Sequence, residues 1–129
     1  MREWAIMTEE SQLLVEQDGE VTVVGFSEPT LLNAYHVNES AKELYHLIEK
    51  QGHRWIVLDL STIKMLSSQT LGVFLNTRHK LENLGGKVVI SGIDPKLSRV
   101  FKITNLQSVF EFFSDLSSAV EYLKKYVTV

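Results

Sequence analysis

The sequence contains no cysteine, which excludes disulfides and any thiolate-held zinc site. It has no excess of basic residues either: the formal net charge is −3. That argues against direct nucleic-acid binding, which normally needs a basic surface. No run of apolar residues approaches the ~18 that a membrane span requires. Met1-Arg2-Glu3-Trp4 leads into Glu9-Glu10 without the apolar stretch of a secretion signal, so the expected location is the cytoplasm. Only two prolines occur, Pro29 and Pro95, and no linker, low-complexity tract or internal repeat breaks the chain.

What is present is ordinary for a globular protein, with 44% hydrophobic and 22% charged residues over 129 positions. That length fits one domain able to bury about two thirds of its unfolded surface. The most informative stretch runs from Arg54 to Gly86. Trp55-Ile56-Val57-Leu58 is apolar at every position, as in a strand covered on both faces. Asp59 closes that run, at the strand end where α/β proteins gather functional groups. After a polar loop, Ser67-Ser68 precede a helical pattern in which Leu71, Phe74, Leu75, Leu81 and Leu84 share one stripe. Gly85-Gly86 end the helix, with Lys80 near its last turn. A cap at Ser67 or Ser68 fits the phase of the stripe, whereas Thr70 falls within the first turn; with Ser67 as cap, Ser68 is the first helical residue, and Ser67, Ser68 and Thr70 are all expected near solvent.

The remaining segments read as βα alternation. Residues 1–11 carry Trp4, Ile6 and Met7 without clear period and are expected to be an N-terminal extension or edge strand. Leu13–Glu16 and Val21–Phe26 flank Gln17-Asp18-Gly19-Glu20, a hairpin signal. Ser27–His36 reads as a loop, followed by a helix with Val37, Ala41, Leu44 and Ile48 inward and a stop at Gly52. Val88–Ser91 is a short buried strand. Asp94-Pro95 starts a helix with Leu97, Val100, Phe101 and Ile103 inward, ended by Asn105 in a left-handed conformation. Val109–Phe113 reads as the last strand, and Ser114-Asp115 cap a helix with Leu116, Ala119, Val120, Leu123 and Val127 inward. The expected fold is a single compact α/β domain, a mixed and partly parallel sheet of roughly 4–6 strands with about four helices.

Catalytic readings find little to stand on. A serine hydrolase would need Ser68 on a nucleophile elbow, yet G-x-S-x-G is missing, with Met65, Leu66 and Thr70 where small residues should stand. His36, His46, His53 and His79 show no placement opposite Ser68. Leu84-Gly85-Gly86-Lys87 ends a helix rather than opening one, so it is no phosphate loop. The His and Asp residues have no metal-ligand spacing. Neither an enzymatic activity, a metal nor a cofactor is therefore expected.

The order V-L-D-L-S, a short loop, then S-S-x-x-L-G-x-F-L and a basic helix ending in G-G-K resembles the STAS domain, the family of bacterial anti-sigma factor antagonists. The resemblance runs from about Gln12 to Tyr126, which assigns 12–129 to the domain. In that family the motif reads roughly D-S-[ST]-G-L-G, and its Ser is phosphorylated by a partner kinase. Aligned on Leu71-Gly72-Val73, Ser68 takes that position, while Ser67 replaces the family's Asp and Thr70 its Gly. The resemblance implies a partner-binding loop of Asp59, Ser67, Gln69, Thr70, Leu71 and Gly72, with Asp59 orienting the loop or the hydroxyl. It implies an anti-sigma factor with serine kinase activity as partner, a serine phosphatase to reset the switch, and indirect control of transcription. A weak homodimer stays open. The alternative it leaves is a non-catalytic single-domain STAS scaffold within a larger signalling assembly.

Overall fold

The structure, a computed structural model, describes residues 12–127; the expectation for Trp4, Ile6 and Met7 falls outside them. Strands β1 (Leu13–Asp18) and β2 (Val21–Phe26) form the hairpin, with Asp18 paired to Val21 and Gly19 at φ 64° in the turn. The ladder thus reaches two residues nearer the turn than the polar Gln17-Asp18 suggested. Strand β4 (Trp55–Asp59) lies parallel to β2 on one side and to β6 (Lys87–Ser91) on the other. The last strand, β7 (Phe112–Phe113), completes a five-stranded mixed sheet in the order β1-β2-β4-β6-β7.

Helices cover this sheet unequally. Three of them, α1 (Ala34–Glu49), α2 (Ser68–Asn83) and α3 (Pro95–Ile103), pack on the face that carries Val24, Ile56, Leu58 and Ile90. Among the described residues, only α4 (Leu116–Val127) packs on the other, against Val21, Val57 and Val89. Ile56, Val57 and Leu58 are all fully buried, which is why β4 lacks the alternation of a half-exposed strand. Each helix starts on a polar cap: Asn33, Ser67 and Asp94 for the first three. For α4, Asp115 accepts from the Ser118 amide at 2.8 Å.

Two helices end in the same hydrogen-bond pattern. After α2, the Gly86 amide donates to the Leu81 carbonyl at 2.7 Å and Gly85 to Glu82 at 3.2 Å, with Gly85 at φ 80°. After α3, Leu106 donates to Phe101 at 2.8 Å and Asn105 to Lys102 at 3.1 Å, with Asn105 at φ 62°. Asn105 is the sole non-glycine residue at positive φ among those described, as a short polar side chain at a left-handed stop allows.

Several expectations are corrected. The stretch read as a loop over Ser27–His36 contains β3 (Thr30–Leu31) and the first turn of α1. Strand β3 pairs in parallel with β5 (Met65–Leu66), which lies inside the loop expected after Asp59. Two-residue strands are too short to leave a period in sequence. Val109 and Phe110 are turn, not strand: both amides donate to the Leu106 carbonyl, and Phe110 is buried edge-on against Phe101. On α2, Leu75 and Leu84 are exposed, and the inward positions include Thr77, whose hydroxyl donates to the Val73 carbonyl at 2.8 Å. Ile103 is 73% exposed because Leu106, brought back by the helix stop, packs on the core instead. Leu116 is also exposed, and Val127 is half-buried.

One buried group on α1 has no partner. The Ser40 hydroxyl is buried among Val37, Leu44 and Phe74 without a hydrogen bond. An orphaned hydroxyl costs about 1–3 kcal/mol, and alanine is also the better helix former. Ser40→Ala should therefore raise the melting temperature by about 3–5 °C, measured by calorimetry; an unchanged or lower midpoint would mean that the hydroxyl is satisfied in solution.

Candidate functional site

The start of α2 is fixed by hydroxyl and carbonyl groups from three segments. Ser67 is extended (φ −97°, ψ 167°), and its Oγ accepts from the Thr70 amide at 3.3 Å. Its own amide donates to the Leu31 carbonyl at 3.0 Å. The Thr70 hydroxyl donates to that same carbonyl at 2.8 Å and lies 3.2 Å from Ser67 Oγ. Since the Thr70 proton is directed at Leu31, Ser67 Oγ is the donor in that last contact. Thr70 is 3% exposed, so it does not reach solvent as the sequence suggested. Thr70 is one of the bonds that tie α2 to β3.

Ser68 is left in a different position. It is exposed, and its hydroxyl forms no hydrogen bond among the described residues. The first intrahelical bond runs from the Leu71 amide to the Ser67 carbonyl at 3.2 Å. The amides of Ser68 and Gln69 precede it, at the positive end of the helix dipole. Gln69 donates from Nε2 to Asn38 Oδ1 at 2.8 Å, which joins the start of α2 to the second turn of α1. Leu71 is buried in the core, and Gly72 is exposed. A Cβ placed on Gly72 would meet nothing within 4 Å.

Asp59 is not part of this cluster. Leu58 packs on the face of α1 and α2, Val57 on the face of α4, and strand alternation sends Asp59 with Val57. There its Oδ1 accepts from the Ser61 amide at 3.1 Å and holds the turn after β4. It borders a cleft of about 570 Å³ beside α4, with Leu14, Val23 and Gly25 of the hairpin. The structure thus brings Ser67, Ser68, Gln69, Thr70, Leu71 and Gly72 together and leaves Asp59 across the sheet. It adds two participants that carried no sequence signal, Asn38 and the Leu31 carbonyl.

The histidines have neighbours other than the two serines. His53 Nδ1 lies 2.7 Å from the Thr22 hydroxyl on the hairpin, and His79 lies 3.3 Å from Asn83 on α2. His36 packs edge-on against Tyr35, and His46 is exposed. No hydrogen bond joins any of them to Ser67 or Ser68 among the described residues. No group of three or more His, Cys, Asp or Glu is placed to hold a metal among those residues, and none of their helices is long and apolar enough to cross a membrane.

The Thr70 network generates a stability prediction. Thr70→Val keeps the shape but removes a donor from Leu31 and a partner from Ser67, which should cost about 1–3 kcal/mol. Ser67→Ala should cost about 1 kcal/mol as a lost cap. The two bond each other, so the double variant should lose less than the sum, read by urea denaturation; strict additivity would dissolve the network.

Comparison with known proteins identifies the family and the fold. The STAS domain model matches residues 12–119. A Thermotoga maritima protein named "Putative anti-sigma factor antagonist" is 26% identical over 94 residues, 73% of this chain and 83% of that one. Among solved structures, the Bacillus cell fate determinant SpoIIAA in its phosphorylated form superposes with TM-score 0.66 at 16% identity, over 85% of this chain and 97% of that one. A chain of the stressosome, a signal integration and transduction hub, gives 0.67 at 19% identity, over 89% and 99%. Likeness at those identities is one of fold, whereas the family model spans most of the sequence. The chain belongs to the STAS domain family.

Proposed function

We propose that this protein is an anti-sigma factor antagonist that switches partners through phosphorylation of Ser68. Unmodified, it binds an anti-sigma factor that is also an ATP-dependent serine kinase, and so frees a sigma factor. The kinase ends that state: the Ser68 oxygen attacks the γ-phosphorus of ATP, the hydroxyl proton passes to a base of the kinase, and ADP leaves. A serine phosphatase restores the hydroxyl, releasing inorganic phosphate by attack of water. The protein itself acts by binding, in the cytoplasm, and reaches transcription only through its partner. The relatives' names support this reading.

The observation that carries it is the division of labour between the two serines. Ser67 is committed to the cap, while Ser68 is exposed and unbonded above the free amides of the helix start. Phosphorylation adds roughly −1.5 to −2 charges and three acceptor oxygens. At an exposed helix N-terminus that charge is favourable by about 0.3–1 kcal/mol. Sealed in an interface without a cation it would cost on the order of 2–5 kcal/mol. The second term is larger, so the fold tolerates the phosphate and the complex does not.

Ser68→Asp should therefore weaken binding to the kinase-type anti-sigma factor about tenfold or more, while Ser68→Ala should bind and escape inactivation. Titration calorimetry reads the affinities, and site-resolved mass spectrometry of the kinase-treated protein should find phosphate on Ser68. Modification confined to Ser67 would move the site. A second reading, a STAS scaffold in a larger assembly, draws on the likeness to the stressosome chain. Equal affinities for wild type and Ser68→Asp would favour it.

A further inference from the structure

The cleft of about 570 Å³ beside α4 lies where that helix stops short of the sheet edge. The helix packs over β2, β4, β6 and β7 and reaches the edge strand β1 through the Lys124–Asp18 ion pair. Leu13 and Val15 face the three-helix core, so strand alternation turns Leu14 to the α4 side. Leu14 is 44% exposed there, and Leu116 at the start of α4 is 37% exposed. Both line the cleft, together with Val23 and Val120.

Gly25 adds an independent observation. It lies inside β2, opposite Leu14 in the ladder, and lines the same cleft. Glycine weakens a strand interior and marks places where a ligand or another backbone comes close. Among the described residues nothing requires it. Its φ is not positive, and an added Cβ would meet only Leu14 atoms at 3.8 Å, an ordinary contact.

The chain itself enters at this end of the cleft. The Gln12 carbonyl accepts from the Ser27 amide at 3.0 Å, and the Gln12 amide donates to Glu43 at 2.8 Å. Gln12 is thus two residues from Leu14, and Asp59, one step past the Val24–Leu58 pair, is level with Gly25. The sequence before Gln12 is MREWAIMTEES, with a cation at Arg2, apolar bulk at Trp4, Ile6 and Met7, and polar residues over 8–11. From Leu14 to Asp18 the cleft wall runs about 13 Å, and residues 2–7 extended reach roughly 20 Å. Around the cleft stand Glu16, Asp18, Asp59 and Glu121 against one cation, Lys124.

We propose that residues 2–7 of this chain are the occupant of the cleft. The polar residues 8–11 reverse the chain, Trp4, Ile6 and Met7 cover Leu14, Gly25 and Leu116, and Arg2 meets the acidic rim. Reach, apolar content and charge all match the surface beside which Gln12 is anchored. A strap seated there covers the hairpin on the face across the sheet from Ser68.

The lack of cysteine makes the full chain suitable for a cross-linking test. Ile6→Cys with Ser117→Cys, on the α4 wall of the cleft, should link within one monomer under a short bismaleimide. Ile6→Cys with Ser98→Cys, on α3 across the sheet, should link at least tenfold less. Gly25→Val fills the floor and should cut the Ile6–Ser117 link about tenfold. Trp4→Ala and Leu14→Ala should each lower the melting temperature by about 3–5 °C. Together they should lose less than the sum, because each removes the other's contact. Equal yields for the two cysteine pairs, or a midpoint unchanged by Trp4→Ala, would overturn the proposal. Links found only between two chains would overturn it as well, by assigning the cleft to the segment of a second copy. Each of these results is independent of phosphorylation at Ser68.

Discussion

The carbonyl of Leu31 is the group on which the rest of the site depends. It accepts from the Ser67 amide and from the Thr70 hydroxyl, two donors on a segment more than thirty residues later in the chain. The sheet around it, β3 with β5, has two residues in each strand, too few to hold its own register. The two bonds to Leu31 supply that register and set the rotation of α2 about its axis. That rotation decides which serine faces the cap and which faces solvent. Displacing α2 by one residue in one direction would move Leu71 to the exposed place of Gly72, and in the other would move Ser68 to the cap.

Unequal cover of the sheet places this arrangement at one end of the molecule. Strand β4 needs apolar cover on both faces, and α1 with α2 on one side and α4 on the other provide it. The chain leaves β4 at Asp59 and returns to the sheet at Lys87. The start of α2 therefore lies beyond the C-terminal end of a parallel strand, where α/β folds collect binding groups. The opposite face is covered by α4 among the described residues, and its cleft beside the hairpin is where Asp59 ends up. A carboxylate next to a buried strand reads in sequence as a neighbour of the following loop. Its actual neighbours are decided by strand parity, which turns Asp59 toward the Ser61 amide.

Much of this was legible where the governing interaction is local. Hairpin, buried strands, caps and the left-handed stop at Asn105 all follow from residues within a few positions of one another. The phase of Leu71, Phe74 and Leu81, which the core enforces, narrows the cap to Ser67 or Ser68, and the bond from the Thr70 amide to Ser67 Oγ makes the choice. What stayed hidden is non-local or small. The β3–β5 pair has no period to detect, and nothing near Asn38 announces that it will meet Gln69. Val109-Phe110 looked like strand because apolar bulk packing under α3 resembles apolar bulk in a ladder. Leu75 and Ile103 fit a helical stripe by spacing yet lie at its margin, where exposure is decided by the neighbouring element.

Ser67 and Thr70 are two of the positions at which this sequence departs from its family's motif, and they touch. A carboxylate cap can accept from two amides and carries a charge; a serine oxygen is a weaker acceptor and has a proton to place. Thr70 receives that proton 3.2 Å away and sends its own to Leu31. A glycine at 70 would offer neither, so Ser67 would cap in isolation, and an aspartate at 67 would have no proton for Thr70. The departures are thus one change distributed over two residues. On the proposed reading this change also bears on the switch. A carboxylate beside a phosphoserine would oppose it by about 1 kcal/mol per pair of unit charges at 4 Å even in water. A neutral cap removes that repulsion and leaves the helix amides to favour the phosphate. The chain can then hold the modification at Ser68 while its fold is secured through uncharged hydrogen bonds.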